Sequence, residues 1–226
     1  MKREIIITGD GSTSIHFPEW DEQYHSKHGA IQEANHVFID MGLAHILDQQ
    51  QYASSPLHIL EIGFGTGLNA FITFLEAQKR NLVINYEGIE AYPVLPEEVD
   101  KLNYVSALNA ENHSAIFTTM HSSSWDEAIT ISKNFTLTKR QQFFKDIKAN
   151  NAFNLIYFDA FGARVQPDLW TEEIFKIMYT ALKPNGVLTT YAAKGSVRRA
   201  MQAVGFKVER LPGPPGKREM LRATKP

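Results

Sequence analysis

The chain has 226 residues, of which 43% are hydrophobic and 21% charged, with a formal net charge of −2. That balance suits one globular domain with a sizeable core and excludes a disordered or fibrous chain. It has no cysteine, hence no disulfide framework or thiolate metal site. No apolar run approaches the ~18 residues of a membrane span, and the M-K-R-E-I-I-I-T-G-D start is too short for a signal peptide, so a cytoplasmic protein is expected.

In chain order, residues 1–20 predict a hairpin, with Ile5–Ile7 and Ser14–Phe17 flanking the turn T-G-D-G-S-T. Apolar residues at helical spacing (Ile31, Ala34, Phe38, Met41, Ile46) predict a helix over Gly29–Asp48. Residues 1–50 therefore read as an N-terminal extension and 51–226 as the main domain. The main domain opens with a buried strand, Leu57–Ile62, which runs into E-I-G-F-G-T-G-L (61–68) and a helix over Leu68–Lys79. Gly63, Gly65 and Gly67 let the backbone turn sharply and approach a ligand, because no Cβ intervenes. Val83–Ile89 alternates as a strand and ends at Glu90, 23 residues past Gly67. A carboxylate about 20 residues beyond such a loop accepts hydrogen bonds from ribose hydroxyls.

A helix is expected from near Pro96, and two more within 104–134, one starting near Ser124 with Trp125 and Ile129 inward. Phe135–Phe144 reads as a strand, as does Phe153–Phe158, the clearest buried run, ending at Asp159. Helix Pro167–Leu182 stops at K-P-N-G, strand Gly186–Tyr191 follows, then helix Ser196–Val204 and paired strands Phe206–Arg210 and Arg218–Thr224. Strands separated by helices predict an α/β, mostly parallel, doubly wound sheet closed by an antiparallel C-terminal hairpin. In such sheets ligands bind beyond the carboxyl ends of the strands, where the glycine loop, Glu90 and D-A-F-G (159–162) should meet.

The dinucleotide fingerprint spaces its glycines G-x-G-x-x-G. Here they run G-x-G-x-G behind Glu61, which resembles the first motif of S-adenosylmethionine-dependent methyltransferases. A carboxylate at Asp159 suits an amine nucleophile, which must lose its proton before attacking a methyl group. A helix-capping or turn aspartate is the competing reading.

Seven ordered segments carry a closer resemblance: Y-H-S-K-H-G-A-I-Q-E-A-N-H-V-F (24–38), E-I-G-F-G-T-G-L-N (61–69), G-I-E-A-Y-P (88–93), Y-F-D-A-F (157–161), P-D-L-W-T (167–171), T-Y-A-A-K-G-S-V-R-R (190–199) and G-K-R-E-M-L (216–221). Across nearly its whole length the chain resembles the bacterial tRNA methyltransferases that act on the modified wobble uridine, the MnmC N-terminal domain and its stand-alone relatives. That resemblance implies a Rossmann-like class I methyltransferase fold and S-adenosyl-L-methionine as cofactor. It implies methyl transfer to the amine of 5-aminomethyl-uridine, or its 2-thio form, in the anticodon loop of tRNA. It assigns Gly63, Gly65, Gly67 and Glu90 to the cofactor and Asp159 to catalysis; Glu61, Phe64 and Asn69 of the same segment are expected at the cofactor too, and Glu33 at the substrate or tRNA. Some members carry a fused oxidase domain; without one here, another enzyme is expected to supply the aminomethyl group. The acid such enzymes often place after the third core strand falls near Gln142–Phe143, with Gln142 or Asp146 as substitutes.

The basic residues fit RNA. Lys194 to Pro226 holds nine cations against Glu209 and Glu219, a local +7 on a body of −9. Lys194, Arg198, Arg199, Lys217 and Arg218 are expected at tRNA phosphates, and Tyr24 and Phe161 stacked on an extruded base, with solvated side chains and ordinary packing as the competing readings. His25, His28 and His36 lack a further ligand for zinc, so no metal is expected, and Trp125 and Trp170 read as core. A monomer is favoured. Three other readings remain open: a nicotinamide-dependent oxidoreductase, an aminopropyltransferase or small-molecule methyltransferase of the same fold, and a non-catalytic RNA-binding module.

Overall fold

The computed structural model describes residues 2–49 and 56–226. The expected boundary at 50/51 lies outside the described residues. The predicted hairpin forms from β1 (Glu4–Ile7) and β2 (Thr13–Phe17), with a short third strand, β3 (Glu22–Gln23), pairing antiparallel to β2. Its turn is held by Asp10, which accepts from the Thr8 hydroxyl at 2.8 Å and the Ser12 N–H at 3.1 Å. The other Asp10 oxygen accepts from the Gln32 N–H at 2.9 Å. The hairpin turn thus caps the following helix, whose own N-cap, Gly29, has no side chain to do so. That helix, α1 (residues 30–48), starts and ends as an α-helix and is wound as a π-helix over Asn35–Ala44.

Eight strands make the main sheet, in the order β10-β11-β9-β8-β4-β5-β7-β6, where β4 is Leu57–Ile62, β5 Ile84–Ile89, β6 Ala128–Ser132, β7 Phe135–Arg140, β8 Phe153–Phe158, β9 Leu182–Thr190, β10 Lys207–Pro212 and β11 Glu219–Thr224. The five central strands are parallel, while β6 and the β10–β11 hairpin are antiparallel. The chain starts at β4, winds outward through β5 and β7, then returns to β8 on the other side of β4. The switch point of the sheet therefore lies between β4 and β8. Side-chain alternation puts the two halves of the core on opposite faces: Leu57 and Ile59 join Phe38 and Phe71 on one, Leu60 and Ile62 join Phe158 and Phe175 on the other. Helices α1 and α2 (Leu68–Arg80) cover the first face; α6 (Glu172–Ala181) and α7 (Gly195–Ala203) cover the second. Between β5 and β6 lie the short helices α3 (Pro96–Val99), α4 (Tyr104–Ala107) and α5 (Ser114–Ser122).

Four expectations differ from the structure. No helix starts at Ser124: Asp126 has φ +63° and donates its N–H to Lys139, after which A-I-T-I-S forms the edge strand β6. Alternation and β-branched residues decide that segment, and Trp125 and Ile129 pack part-buried against the core all the same. Strand β7 ends at Arg140, short of Phe144. The helix expected over Pro167–Leu182 is a 3₁₀ turn (Pro167–Trp170) followed by α6, divided at Thr171, whose backbone is extended at ψ 165° and whose side chain caps α6. K-P-N-G does not separate helix from strand. It lies within β9, where the register against β8 shifts between Phe153 and Leu155 and Asn185 sits at φ +61°.

Candidate active site

At the carboxyl end of β4 the chain must leave a crowded parallel strand and enter α2 within five residues. Gly63, Gly65 and Gly67 do this at φ +90°, +49° and +71°. The N–H groups of Gly63 and Phe64 both donate to the Ile89 carbonyl of β5, at 3.0 and 2.9 Å. A Cβ on Gly63 would sit 2.7 Å from the Asp159 carbonyl oxygen, so the glycine is what allows the ends of β4 and β8 to lie this close. On β5, a Cβ on Gly88 would fall 2.4 Å from the Phe64 ring, which fills the space beneath the loop.

A cavity of about 970 Å³ opens above this corner and brings together Gly63, Phe64, Gly65, Asn69, Glu90 and Asp159. Glu90 is fixed by two backbone donors, Gly65 N–H at 3.1 Å and Tyr92 N–H at 3.0 Å, one on each carboxylate oxygen. Each oxygen keeps lone-pair capacity for a further donor, such as a ribose hydroxyl.

Glu61 and Asp159 end adjacent strands on either side of the switch point. The Asn69 side-chain N–H₂ on α2 donates to both, at 2.9 Å to Glu61 Oε1 and 2.8 Å to Asp159 Oδ2. Glu61 is buried, and its second oxygen has no partner among the described residues, nor does Asn69 Oδ1. Burial first, and the Asp159 charge second, hold the Glu61 carboxyl well above the ordinary carboxylate range. Asp159 is half-buried; desolvation, then the Glu33 carboxylate, push its pKa up to about 7, against the opposing pull of Asn69 and Lys217.

The loop after β8 is held from two sides. Tyr191 OH donates to the Ala160 carbonyl and Trp170 Nε1 to the Phe161 carbonyl, each at 2.8 Å. Phe161 then meets Phe17, Trp20 and Tyr24, with ring centroids 5.4, 6.1 and 5.0 Å away, and all four rings line the cavity beside Asp159. Tyr24 lies on the glycine loop, 2.8 Å from where a Gly65 Cβ would be. Arg164 locks the turn that carries Trp20, donating to the Trp20 and Asp21 carbonyls at 3.1 and 2.7 Å.

Several side chains that sequence reasoning missed build this site. Phe17 and Trp20 complete the aromatic wall. His25 is buried between Ser14 (3.2 Å) and Thr66 of the glycine loop (3.4 Å), and burial takes its pKa down to about 4. A conspicuous aromatic run across β2 and β3 was the only signal for the first two; nothing local marks His25 as a support of a loop 41 residues away.

The basic residues separate into two groups. Lys194, Arg199 and Arg218 are exposed and Arg198 half-buried, and none of them lines the cavity. Lys217 is turned inward, paired with the buried Glu33 and seated 3.9 Å above the Tyr191 ring. Lys217, expected at a tRNA phosphate, has these two internal partners in the structure. Phe143 and Lys145 line the cavity, whereas Gln142 and Asp146 do not. No group of three or more His, Asp or Glu side chains able to hold a metal ion occurs among the described residues, and no helix there is long and apolar enough to cross a membrane.

Residues 113–226 match the family model described as S-adenosyl-L-methionine-dependent methyltransferase. The chain belongs to that family. This methyltransferase is 27% identical over 210 residues to the tRNA 5-methylaminomethyl-2-thiouridine biosynthesis bifunctional protein MnmC of Hydrogenovibrio crunogenus, covering 89% of this chain and 31% of that protein. It is 28% identical over 233 residues to the protein of the same name from Cupriavidus necator, with 98% and 34% covered. The chain thus spans about a third of the length of the curated relatives it matches. The crystal structure of MNMC2 from Aquifex aeolicus shares its fold at a TM-score of 0.77 and 24% identity, over 98% of this chain and 70% of that one. The fold is the Rossmann-like one of S-adenosyl-L-methionine-dependent methyltransferases, and S-adenosyl-L-methionine is the cofactor. The corner fits that group: a cradle open only to glycine, a fixed carboxylate one strand away, and buried acceptor atoms on Glu61 and Asn69 with capacity to spare.

Proposed function

We propose that this enzyme methylates the amine of 5-aminomethyl-uridine, or its 2-thio form, at the wobble position of tRNA, in the cytoplasm and as a monomer. The names of its relatives supply the substrate class. The observation that carries the reading on this chain is the place of Asp159: at the end of the central strand, beside the glycine loop, facing a cavity walled by aromatic rings.

S-adenosyl-L-methionine, when bound, supplies a sulfonium-activated methyl group. The Gly63–Gly67 loop, with Phe64 beneath it, would hold this cofactor; Glu90 would accept from its ribose hydroxyls, and Asn69, backed by the buried Glu61, would face its amino-acid end. Tyr24 and Phe161, supported by Phe17 and Trp20, stack on the extruded base and exclude water from the reactive end. An aminomethyl group arrives as an ammonium and must lose a proton to expose its lone pair. Burial lowers the proton affinity of the ammonium while raising that of Asp159, so the two approach one another and the proton passes to an Asp159 carboxylate oxygen. With the cofactor in place, Asp159 and the aromatic wall would hold the freed lone pair toward the donor methyl group.

Lys194, Arg198, Arg199 and Arg218 supply phosphate contacts away from the reactive end, in a salt-dependent manner. The test is incubation with radiolabelled S-adenosyl-L-methionine and tRNA from cells lacking this gene, followed by nucleoside analysis. Label in 5-methylaminomethyl-uridine or its 2-thio form supports the proposal. Label in another nucleoside, or transfer only to small amines, overturns it.

A further inference from the structure

Two charged residues beside the site, Glu33 on α1 and Lys217 in the β10–β11 loop, lie 184 positions apart in sequence and meet in an ion pair. The pair is built in. Glu33 is 6% exposed, and its other oxygen accepts from the Ser26 N–H at 3.1 Å. The Lys217 ammonium rests 3.9 Å above the Tyr191 ring. Tyr191 in turn donates its hydroxyl to the carbonyl of Ala160, the residue after Asp159. Two further contacts dock the same loop on the N-terminal segment: His36 Nε2 lies 2.8 Å from the Pro212 carbonyl oxygen, and the Gly216 backbone packs against the His28 ring.

We propose that Glu33 and Lys217 are positioning residues for methyl transfer: their ion pair, seated on Tyr191, pins the loop that carries Asp159 and balances the charge this carboxylate faces. The inference rests on the reading of Asp159 as proton acceptor. The charged and titratable groups around Asp159 are Glu33 on α1, Lys217 on the C-terminal loop, Tyr191 after β9, Glu61 on β4, Tyr86 on β5 and Tyr104 on α4. The three tyrosines are held neutral, mainly by burial. Burial also disfavours ionised Glu61. Glu33 and Lys217 are then the pair whose charges act on Asp159 in opposite senses. Lys217 opposes part of the Glu33 charge, and Asp159 is left as the carboxylate free to take and release a proton.

The test is a carbon-13 carboxyl titration of Asp159 in the full chain, without substrate, across variants of the pair. Lys217→Met removes a cation and leaves Glu33 unopposed, so the Asp159 midpoint should rise by about one pH unit, a roughly tenfold loss of ionised fraction at a given pH. Glu33→Gln frees the cation and should lower the midpoint by a similar amount. Lys217→Arg should leave it within a few tenths of a unit. Should the Met variant fail to fold, Lys217→Gln repeats the charge change with a side chain able to hydrogen-bond Glu33. The acid limb of the kcat/KM profile should move in the same two directions. Shifts of the same sign in both variants, or no shift in either, would overturn the inference, since a merely structural pair has no reason to move the midpoint oppositely. The titration needs no tRNA, so it stands apart from the failure of the proposed function, which retained methyl transfer by an Asp159→Asn variant would reveal.

Discussion

Asn69 holds Asp159 by a 2.8 Å hydrogen bond from its side-chain amide, and the other hydrogen of that amide serves Glu61. One N–H₂ group is therefore the common support of two neighbouring carboxyls: Glu61, which burial holds well above the carboxylate range even so, and Asp159, whose ionised form the bond favours. Replacing Asn69 by Leu removes both bonds at once. The acid limb of the pH–rate profile should move upward, and kcat/KM at pH 7 should fall on the order of a hundredfold, given ~1.5–3 kcal/mol for a hydrogen bond to a charged group. A pH–rate profile of the folded variant checks this, and an unmoved acid limb would refute it.

Asp159→Asn should abolish methyl transfer while leaving the cofactor dissociation constant, measured by calorimetry, within a few-fold of the parent. The same change should stabilise the protein above neutrality. A carboxyl with a folded pKa of about 7 binds more protons in the native than in the unfolded state between pH ~4 and 7, so native stability falls as pH rises through that window. The uncharged amide escapes this cost, so the variant should gain about 2 kcal/mol at pH 8 and little at pH 4.5. Thermal melts at the two values read the difference.

Glu90→Ala removes the proposed ribose acceptor and leaves the Gly65 and Tyr92 N–H groups without their partner. Cofactor affinity should drop about ten- to a hundredfold by calorimetry, on the basis of ~1–3 kcal/mol for unsatisfied polar groups. Far-ultraviolet circular dichroism should be unchanged.

Gly63→Ala places a methyl group 2.7 Å from the Asp159 carbonyl oxygen at a φ of +90° that non-glycine residues resist. Backbone is the obstacle, so the β4 and β8 ends must part. A loss of about 2 kcal/mol or more in denaturant unfolding is expected, together with a cofactor affinity too weak to measure in the folded fraction.

His25 titrates in the opposite sense to Asp159. Its folded pKa of about 4 lies below the unfolded value of about 6.5, so the unfolded chain binds more protons in that window and stability falls as pH drops from 6.5 to 4. His25→Gln, which retains hydrogen-bonding capacity toward Ser14 and Thr66, should flatten the loss on acidification. Midpoints of urea unfolding at pH 6.5 and 4.5 should differ less than in the parent.

The meeting of the glycine loop, Glu90 and Asp159 at one cavity was legible because its signals are local: G-x-G-x-G between strand and helix, Glu90 at a strand end, and Asp159 after a wholly apolar run. The parallel order and the C-terminal hairpin followed from the alternation of strands with helices. The edge strand β6 was misread because its polar surroundings and short length obscure a two-residue period. Thr171 divides a helix through one extended residue that composition does not announce. Lys217 looked like one more cation in a basic tail; its partner Glu33 is 184 residues away, and no local pattern encodes that meeting. For the same reason the aromatic wall was half seen, with Tyr24 and Phe161 named and Phe17 and Trp20 read as part of a hairpin.

The ion pair between Glu33 and Lys217 also sets a timetable. Glu33 is synthesised 184 residues before its counter-charge, so until Lys217 has emerged the growing chain keeps an uncompensated acid on α1. Such a chain should therefore hold α1 loosely, with rapid amide exchange around residue 33, until the β10–β11 loop docks.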